Sequence, residues 1–596
     1  MGRHRINATA HNPNIHELAK PQGLVAEVKS ISVLTLLVSL QALLQWLVIV
    51  ALIIPIGYFF ARHIDKQAVM LDARSAWLGF GFLVAYINLA QIFIRLNSPF
   101  VVCGIVLFSL CALFVHRNAM LLEVKNSLKS IARHPKIFCI SVIFLLFLAN
   151  LTLSFVGNYD SALYHLPLID YLANHPIIPG LANLHSRFGF SSSTYVVGAF
   201  FQSGPWHAEG YRLVNGFILV LLLIEFSKCV RLVQSNKFRP GDVLIVLATP
   251  LILALAITDP WQYISSPSPD LSAAILLLVA FAYSLNAFSS LSAQDISFAL
   301  ILSTLSATFR PLNLFLLGVI GLVSVSKFFR DRASRKIVFA AIIPSSLLFA
   351  TYVIRNFIIT GYLLYPSSIA ITHPEWQLPI QVAQGDVAVI GNWARGMRTF
   401  SDWDWFMPWL RDNKIDFYPI ALLLLATIFS VGLKLLPTRI SSKSTYRCLL
   451  LGSIAIGGTL VIWFVGAPTP RFAWGVLYAF AVFPLAILSS LGSQASDVRQ
   501  KSLILGILVL LLAQVAWVPT QRGTKMFYPS VQHSPHGLMP MTTIPFHQVE
   551  TKSGLILNVP DGSDKDQCYR TPMCTPYPNL NLYEISLFGR TGYSVK

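Results

Sequence analysis

The segment 158–167 places an acidic residue and a histidine directly after a long apolar run. Asp160 follows the run 137–156, and His165 lies further along the same segment. An apolar run of about 20 residues is typical of a membrane helix, so we expect Asp160 near the lipid headgroups. A carboxylate there could accept a proton from a hydroxyl group or bind a metal ion. The alternative is a solvated helix end without a chemical role.

The polar segment that follows this run, residues 157–212, offers more side chains of the same kind. His165, His185 and Arg187 all fall within it. The guanidinium group of an arginine can bind a phosphate through two parallel hydrogen bonds. Each histidine alone could equally be a packing residue at the membrane surface. The cluster is a stronger indication of a site than any one of its members.

The same segment also predicts the element that positions these side chains. Residues 164–173 have apolar side chains at helical spacing with polar ones between them. This pattern predicts a short helix lying at the membrane interface. The sequence His175-Pro176 is expected to end it.

A second carboxylate, Asp270, follows the proline-containing stretch 266–269 at the start of another apolar run. Asp270 could cap the N-terminus of the helix that begins there and complement its dipole, which is the favoured interpretation. It could instead be a second carboxylate of the site. Asp259 and Glu209 are weaker candidates of the same kind.

Two of the seven cysteines, Cys568 and Cys574, lie close together in a polar segment. The other five lie in or beside apolar runs, where a thiol is usually inert. No CxxC motif or Cys/His metal spacing occurs, so we predict no metal site from these residues. A disulfide between Cys568 and Cys574 would fit an oxidising compartment, with a small stabilising effect because the closed loop is short.

The composition restricts the class of protein. The chain has 596 residues, of which 55% are hydrophobic and 12% charged, with a mean hydropathy of +0.63. So many apolar side chains cannot be buried in one soluble core, which predicts an all-α polytopic membrane protein with about 13–14 membrane helices. The formal charge of +18 does not indicate nucleic-acid binding, because most Lys and Arg residues fall in short segments between apolar runs.

The charge pattern predicts which segments face the cytoplasm. Residues 116–136 carry five Lys and Arg residues and one acid, so the positive-inside rule makes this basic loop cytoplasmic. The short basic segments that follow then alternate correctly with the outer ones. Only the polar tail, residues 1–30, does not follow the positive-inside rule. Three membrane crossings before residue 116 place this tail outside, although it is basic. The expected parts are 1–30 (tail), 31–136 (first membrane helices and basic loop), 137–520 (membrane core) and 521–596 (outer C-terminal tail).

Four arginines are expected together at the outer face of the membrane. They are Arg187, Arg310, Arg355 and Arg471. A charge at hydrocarbon depth costs about 2.5–3.5 kcal/mol on insertion scales and tends to mark a functional site. Snorkelling to lipid phosphates is the alternative for each arginine. The set as a whole would suit an anionic, lipid-linked ligand.

The outer segments 157–212, 355–416 and 521–596 are too long for simple turns. Loops of more than about 12–15 residues in a compact protein are usually functional or disordered. These segments contain many aromatic and branched residues, which argues against disorder. We therefore expect them to build a site outside the cytoplasm.

Several motifs carry a resemblance to known families: Tyr159-Asp160, Tyr164-His165, residues 179–188, Arg355-Asn356, residues 467–472 and the pair Cys568/Cys574. The chain has a membrane helix, an Asp a few residues into the first large outer loop, interfacial helices in that loop and then many more helices with further outer loops. This order resembles the class C (GT-C fold) membrane glycosyltransferases. In that class an essential acidic residue follows a membrane helix in the first outer loop, and Asp160 is the matching position. Over most of residues 140–596 the chain more closely resembles uncharacterised bacterial polytopic proteins labelled as glycosyltransferase-like, which implies no substrate.

The resemblance implies transfer of a sugar from a polyprenyl phosphate to an extracytoplasmic acceptor, which is a cell-surface glycan, lipid or protein. The reaction would be inverting and take place at the bacterial inner membrane. Asp160 would be the general base. The residues expected to bind the phosphate, the sugar or the acceptor are His165, His185, Arg187, Arg310, Arg355, Arg471 and, as a second carboxylate, Asp270.

The chain departs from the class in two respects. About three apolar runs precede the acidic loop, whereas the class usually has one. Asp160 is followed by Ser161, so the Asp-Asp or Asp-Glu pair of some members is missing. The missing acidic pair favours a lone general base over a metal site with two carboxylates. No cofactor is required, although a divalent cation is compatible with the pattern.

Two other classes of function are compatible with a polytopic chain. A transporter or flippase of lipid-linked sugars would have internal repeats and charges spread through the membrane. No convincing repeat is present, and the charges gather at one face. A non-catalytic component of polysaccharide assembly would need the outer segments but not a carboxylate with a set of arginines.

Overall fold

The computed structural model describes residues 33–154, 156–204, 209–258, 263–432, 442–489, 498–522, 545–561, 566–587 and 589–595. The predicted tail, residues 1–30, and the candidate Asp259 lie outside these described residues.

Helices make up most of the described chain. The first four are α1 (Val33–Ile64), α2 (Ala73–Phe93), α3 (Pro99–Arg133) and α4 (Pro135–Thr152). The next eight are α5 (Leu166–Asn174), α6 (Ser193–Phe201), α7 (Leu213–Gln234), α8 (Pro240–Thr258), α9 (Pro269–Ser290), α10 (Ala293–Phe309), α11 (Leu314–Arg330) and α12 (Arg335–Thr360). The last six are α13 (Ile380–Ala394), α14 (Phe406–Asp412), α15 (Lys414–Gly432), α16 (Lys443–Gly466), α17 (Trp474–Ser489) and α18 (Val498–Arg522).

The helices confirm the prediction of an all-α polytopic membrane protein. Among the described residues, eleven helices are long and apolar enough to cross a membrane. Three shorter apolar helices bring the number of apolar helices in this part of the chain to fourteen. The shorter ones are α10, α17 and the apolar part of α18. Helix α9 lies at the centre, in contact with α7, α8, α10, α16 and α17, and its membrane-spanning part is entirely buried in protein.

Successive membrane helices run in opposite directions, so the polar segment 157–212 and the later outer segments share one end of the bundle. We call this the loop end. The connection after α2 also lies there, because the N–H groups of Leu96 and Asn97 donate to the carbonyls of Leu172 and Ala173 at 3.3 and 3.1 Å. That the loop end faces away from the cytoplasm stays a prediction.

The basic loop predicted at residues 116–136 is helical in the structure. Helix α3 continues to Arg133 with one kink at His116, where φ is −116° and ψ is 22°. The positive-inside rule detects the charges of this stretch but not its conformation. The carboxylate of Glu123 holds the stretch against the α1–α2 connection, since it accepts from the N–H groups of Met70 and Leu71 at 2.8 and 2.6 Å.

The C-terminal segment contains strands that the sequence interpretation did not predict. Strands β1 (Phe546–Glu550) and β2 (Ile556–Pro560) form one antiparallel hairpin, and β3 (Leu582–Leu587) and β4 (Arg590–Val595) form another. The predicted disulfide between Cys568 and Cys574 is confirmed, with a Cα–Cα distance of 5.7 Å. It lies between the two hairpins, in a stretch that contacts the segment 157–212.

Candidate functional site

Asp160 lies where the chain turns back into helix after α4. The side chain of Asn158 accepts a hydrogen bond from the N–H of Asp160 at 3.0 Å. A single π-helical turn, Ser161–His165, then leads into α5. The helix predicted at residues 164–173 is therefore present, although a π turn forms its beginning. Such turns are rare and frequently occur at functional sites.

Two arginines contact the carboxylate of Asp160, one from the same polar segment and one from a distant part of the chain. The Nη2 of Arg471 donates to Oδ2 at 3.0 Å, across 311 positions of sequence. The Nη1 of Arg187 lies 3.7 Å from Oδ1. Each carboxylate oxygen thus faces a different guanidinium group. The structure brings together three of the residues that the sequence placed at one membrane face.

Asp270 forms the second half of the same charge cluster. Its side chain is buried, pairs with the Nη2 of Arg310, and lies 4.0 Å from the Nε of Arg471. Asp270 is not the N-cap residue that was predicted, because Ser268 is the N-cap residue of α9 and Pro269 its first residue. It does lie in the first turn of α9, where its charge complements the helix dipole as predicted. The Oγ of Ser268 donates to Asp270 at 2.9 Å, so the serine also orients this carboxylate.

Arg471 joins the two carboxylates from a short 3₁₀ turn between α16 and α17. Its guanidinium group also lies over the ring of Trp393, with 5.0 Å between Cζ and the ring centroid. Burial lowers the pKa of Arg471, but Asp270 and Asp160 raise it by more, so the net shift is upward and the side chain stays charged. We call Asp160, Asp270, Arg187, Arg310 and Arg471 the charge cluster. Its three guanidinium groups exceed its two carboxylates by one positive charge.

The charge cluster lines a cavity of about 1010 Å³ at the loop end. Tyrosines contribute much of the wall: Tyr159, Tyr164, Tyr195, Tyr263, Tyr352, Tyr365 and Tyr577. One side is apolar, and we call it the apolar flank: Val389, Ile390, Trp393, Met397 and Ile462. Asp566 and Tyr577 of the C-terminal segment line another side of the cavity. Cavities of this size, with a few convergent charged groups, are typical of ligand sites.

Residues 40–478 match the model of a family described as a domain of unknown function, DUF8201. The chain belongs to the DUF8201 family. The matched region contains the whole charge cluster and ends before the C-terminal segment.

No curated protein matches the chain. Among solved structures, the cryo-EM structure of the arabinosyltransferase EmbB from Mycobacterium smegmatis is similar, with 11% sequence identity and a TM-score of 0.34. The similarity covers 71% of this chain and 42% of that enzyme. The DUF8201 chain thus spans less than half the length of EmbB, and a likeness this low carries no argument.

The structure does not bring every predicted site residue to the cavity. His165 lines it, whereas His185 and Arg355 do not. His185 is buried against Phe188, with ring centroids 5.0 Å apart, and its Nδ1 accepts from the N–H of Arg187 at 3.4 Å. His185 therefore positions the backbone of Arg187. It does not offer its ring to a ligand.

Arg355 lies behind the cavity wall. The residue is 0% exposed, and its Nη2 donates to the carbonyl and to the Oγ of Ser191 at 2.8 and 2.7 Å. The sequence predicted that the membrane run ends at 354, but α12 continues to Thr360. Arg355 is consequently inside the helix and supports the wall at Ser191. Glu209, a weaker candidate, forms a salt bridge with Arg212 at 2.7 Å.

Sequence reasoning missed the residues that come from the outer segments without a recognisable motif. Asp566, Trp393, Tyr195, Tyr365 and Tyr577 belong to this group. Tyr159 is part of a sequence motif, but nothing in that motif indicates that its hydroxyl donates to Asp566 at 2.8 Å. The only available signal was the high aromatic content of segments that cannot be simple turns.

Arginines contact both carboxylates of the charge cluster. Within the described residues, no group of three or more His, Cys, Asp or Glu side chains could hold a metal. Asp160 and Asp270 are both contacted by Arg471. A divalent cation between these carboxylates would have to displace a charged guanidinium group.

The buried histidine of the cavity makes stability depend on pH. Burial lowers the pKa of His165 from its ordinary value of 6.5 to about 4. The unfolded chain therefore takes up a proton at higher pH than the folded protein does. The contribution to the free energy of unfolding is complete above pH 6.5, falls between pH 6.5 and about 4, and is constant below. We expect the thermal midpoint to drop over this window, measured by fluorescence-detected size exclusion.

Two variants test this expectation. His165→Gln removes the titrating ring and should show a shallower fall than the wild type. His373→Gln makes the same change at an exposed histidine, whose ring contacts Gln377 at 2.8 Å, and should keep the wild-type slope. Equal slopes in the wild type and His165→Gln would contradict the assignment. Burial also lowers the pKa of His185, to about 3, so part of the slope remains in either variant.

Proposed function

We propose that the protein transfers a sugar from a polyprenyl-phosphate donor to an acceptor hydroxyl at the outer face of a bacterial plasma membrane. One observation carries the proposal. A carboxylate that follows a membrane helix shares a cavity with three arginines, one from the same segment and two from distant parts of the chain. A proton acceptor and several phosphate-binding groups are the two requirements of such a transfer.

Asp160 is the general base of the proposed reaction. Its carboxylate takes the proton of the acceptor hydroxyl as the oxygen attacks the sugar. In the structure Arg471 and Arg187 contact both of its oxygens. A donor phosphate in the cavity competes for the same guanidinium groups, which leaves the carboxylate oxygens to the acceptor. Donor binding would thus release the carboxylate of Asp160 from the arginines and make it available as the general base.

Arg471, Arg310 and Arg187 stabilise the departing lipid phosphate. As the bond between sugar and phosphate breaks, negative charge builds up on the phosphate oxygens. Preorganised cations aimed at that charge lower the barrier, because they need no rearrangement at the moment of reaction. Phe472 supports two of these arginines, with its ring centroid 4.8 Å from the Cζ of Arg310 and 5.2 Å from that of Arg471.

The apolar flank gives the lipid chain of the donor a place to lie. It is partly open to the outside of the protein: Val389 and Trp393 are each 50% exposed, Met397 is 74% exposed and Ile462 is 47% exposed. Ile462 belongs to α16, which is long and apolar enough to cross a membrane. A polyprenyl chain can therefore leave the cavity along this side into the bilayer while its phosphate stays at the arginines.

A single displacement with inversion fits the arrangement of the carboxylates. Asp160 is partly accessible at the cavity, whereas Asp270 is 3% exposed and held by Arg310 and Ser268. A covalent intermediate would need a second accessible nucleophile. The resemblance to class C glycosyltransferases, in which an acid follows a membrane helix, supports the same reaction.

The test uses purified protein in lipid nanodiscs with a panel of polyprenyl-phosphate monosaccharides. Mass spectrometry should detect free polyprenyl phosphate, formed from at least one donor and dependent on the protein. In the producing strain, disruption of the gene should remove a sugar from a surface glycan. If every donor stays intact and the glycans are unchanged, the protein is not a transferase. Movement of intact donor between leaflets would instead indicate a flippase.

A further inference from the structure

We infer that the C-terminal segment forms the acceptor subsite, and that the acceptor is a carbohydrate. This inference rests on the proposed function and names the second substrate. The residues that carry it are Tyr159, Asp566 and Tyr577, which we call the acceptor wall. All three line the cavity beside the charge cluster.

The acceptor wall lies at the mouth of the cavity and next to the base. Tyr159 directly precedes Asp160 in the chain, and its hydroxyl donates to the Oδ2 of Asp566 at 2.8 Å. Tyr159 and Tyr577 are 53% and 55% exposed, although both line the cavity. A molecule that enters from outside therefore meets these side chains before it reaches Asp160.

The chemistry of the acceptor wall differs from that of the arginines. Asp566 has no ion-pair partner in the part of the chain that the structure describes, and Tyr159 is its hydrogen-bond donor. A carboxylate with remaining acceptor capacity suits neutral hydroxyl groups and repels phosphates. Two exposed tyrosine rings add flat apolar faces and hydroxyl groups. Hydroxyl-rich rings with apolar C–H faces, that is sugars, match both features.

The charged groups of the cavity form two sets that meet at Asp160. Arg471, which lies with Arg310 and Asp270, contacts one carboxylate oxygen of Asp160, and Arg187 contacts the other. Asp566 accepts from Tyr159, the residue that directly precedes Asp160. An anionic donor belongs on the arginine side. A neutral acceptor belongs on the other side, with its reacting hydroxyl at Asp160. A transferase needs this separation so that the two substrates meet only at the base.

The contacts of the C-terminal segment hold the acceptor wall in place. The disulfide-linked Cys568 and Cys574 lie between Asp566 and Tyr577 in sequence. The N–H of Tyr569 donates to the carbonyl of Ala162, in the π turn next to Asp160, at 2.8 Å. Arg570 contacts both carboxylate oxygens of Asp170 at 2.7 Å each. The wall is thus attached to the same turn and helix that position the base.

The experiment separates transfer to a sugar from hydrolysis of the donor by water. The acceptors are a panel of methyl glycosides, offered with a donor that the wild type cleaves. Asp566→Asn and Tyr577→Ala should raise the KM for the methyl glycoside about tenfold, the effect of one charge-assisted or stacking contact. The rate at which water hydrolyses the donor in the absence of methyl glycoside should change far less in these variants than the acceptor KM does. Asp561→Asn, at a half-exposed aspartate of the same segment paired with His547, is the matched control and should keep the wild-type KM.

The outcomes distinguish this inference from the proposed function. If the wild type releases no polyprenyl phosphate from any donor, the proposed function fails. If it hydrolyses donor but uses no methyl glycoside, or glycosylates only peptides, the carbohydrate acceptor is overturned. An unchanged acceptor KM in both variants overturns the role of the acceptor wall. Should one variant not fold, Tyr577→Phe, which keeps the ring but removes the hydroxyl, gives the same comparison with a smaller expected rise.

Discussion

Asp160→Asn is expected to abolish sugar transfer while the protein still folds and inserts into the membrane. Asparagine has nearly the same shape and can still accept a hydrogen bond from Arg471, so the charge cluster keeps its geometry. It cannot take the proton of the acceptor hydroxyl, and loss of a general base lowers the rate about 10²–10⁴-fold. The measurement is the initial rate of polyprenyl-phosphate release in nanodiscs, with the amount of folded protein determined by size exclusion.

Two further variants make this result specific. Asp412→Asn applies the same change to an outer aspartate whose side chain is 71% exposed, and should behave as the wild type. Asp160→Glu keeps a carboxylate but moves it by one methylene, so it should recover part of the activity. Transfer close to the wild-type rate in Asp160→Asn would remove Asp160 from the chemistry. Failure of Asp160→Glu to exceed Asp160→Asn would favour a role as counter-ion only.

The membrane class and the position of most helices could be predicted from the sequence because both follow from apolar content over long windows. The run 137–156, for example, corresponds to α4 (Pro135–Thr152). Alternation of basic segments then placed Asp160 and Arg471 at the same face. Their contact at 3.0 Å could not be predicted, because it depends on how α16 and α17 pack against α9.

The ends of helices were less predictable than their positions, and this made part of the predicted site wrong. Extending α12 by six residues beyond the predicted run moves Arg355 from the end of the helix into the wall of the cavity. Local hydropathy does not reveal this, because Arg355 and Asn356 interrupt the apolar run one turn before α12 ends. His185 shows a similar limit. Its ring packs against aromatic neighbours, and only tertiary structure distinguishes such a ring from one that faces a ligand.

The strands of the C-terminal segment had a signal in the sequence that the hydropathy of the chain obscured. Residues 582–587 and 590–595 contain alternating and β-branched residues and flank Gly589, which has a positive φ of 71°. This pattern is typical of a hairpin. The acceptor wall had no comparable signal. Asp566 lies 407 positions from Tyr159, and nothing in either local sequence indicates the other.

Arg471→Gln is expected to reduce transfer more than the loss of any other arginine of the charge cluster, because Arg471 alone contacts both carboxylates. Removing one preorganised group that stabilises transition-state charge costs about 10²–10³-fold in kcat. Folding should survive, since Asp270 keeps its pair with Arg310 and Asp160 its contact with Arg187. The measurement is kcat and KM for the donor, followed by polyprenyl-phosphate release.

Arg411→Gln is the control for this change, since the side chain of Arg411 is 77% exposed and forms a salt bridge with the neighbouring Asp412. The double variant Asp160→Asn/Arg471→Gln then decides whether the two residues act together. When two residues act in the same chemical step, the losses of rate caused by replacing each of them do not add. The double variant should therefore be little slower than the slower single variant. If its rate falls instead by the product of the two single losses, Arg471 and Asp160 act independently, and the idea that donor binding prepares the base is wrong.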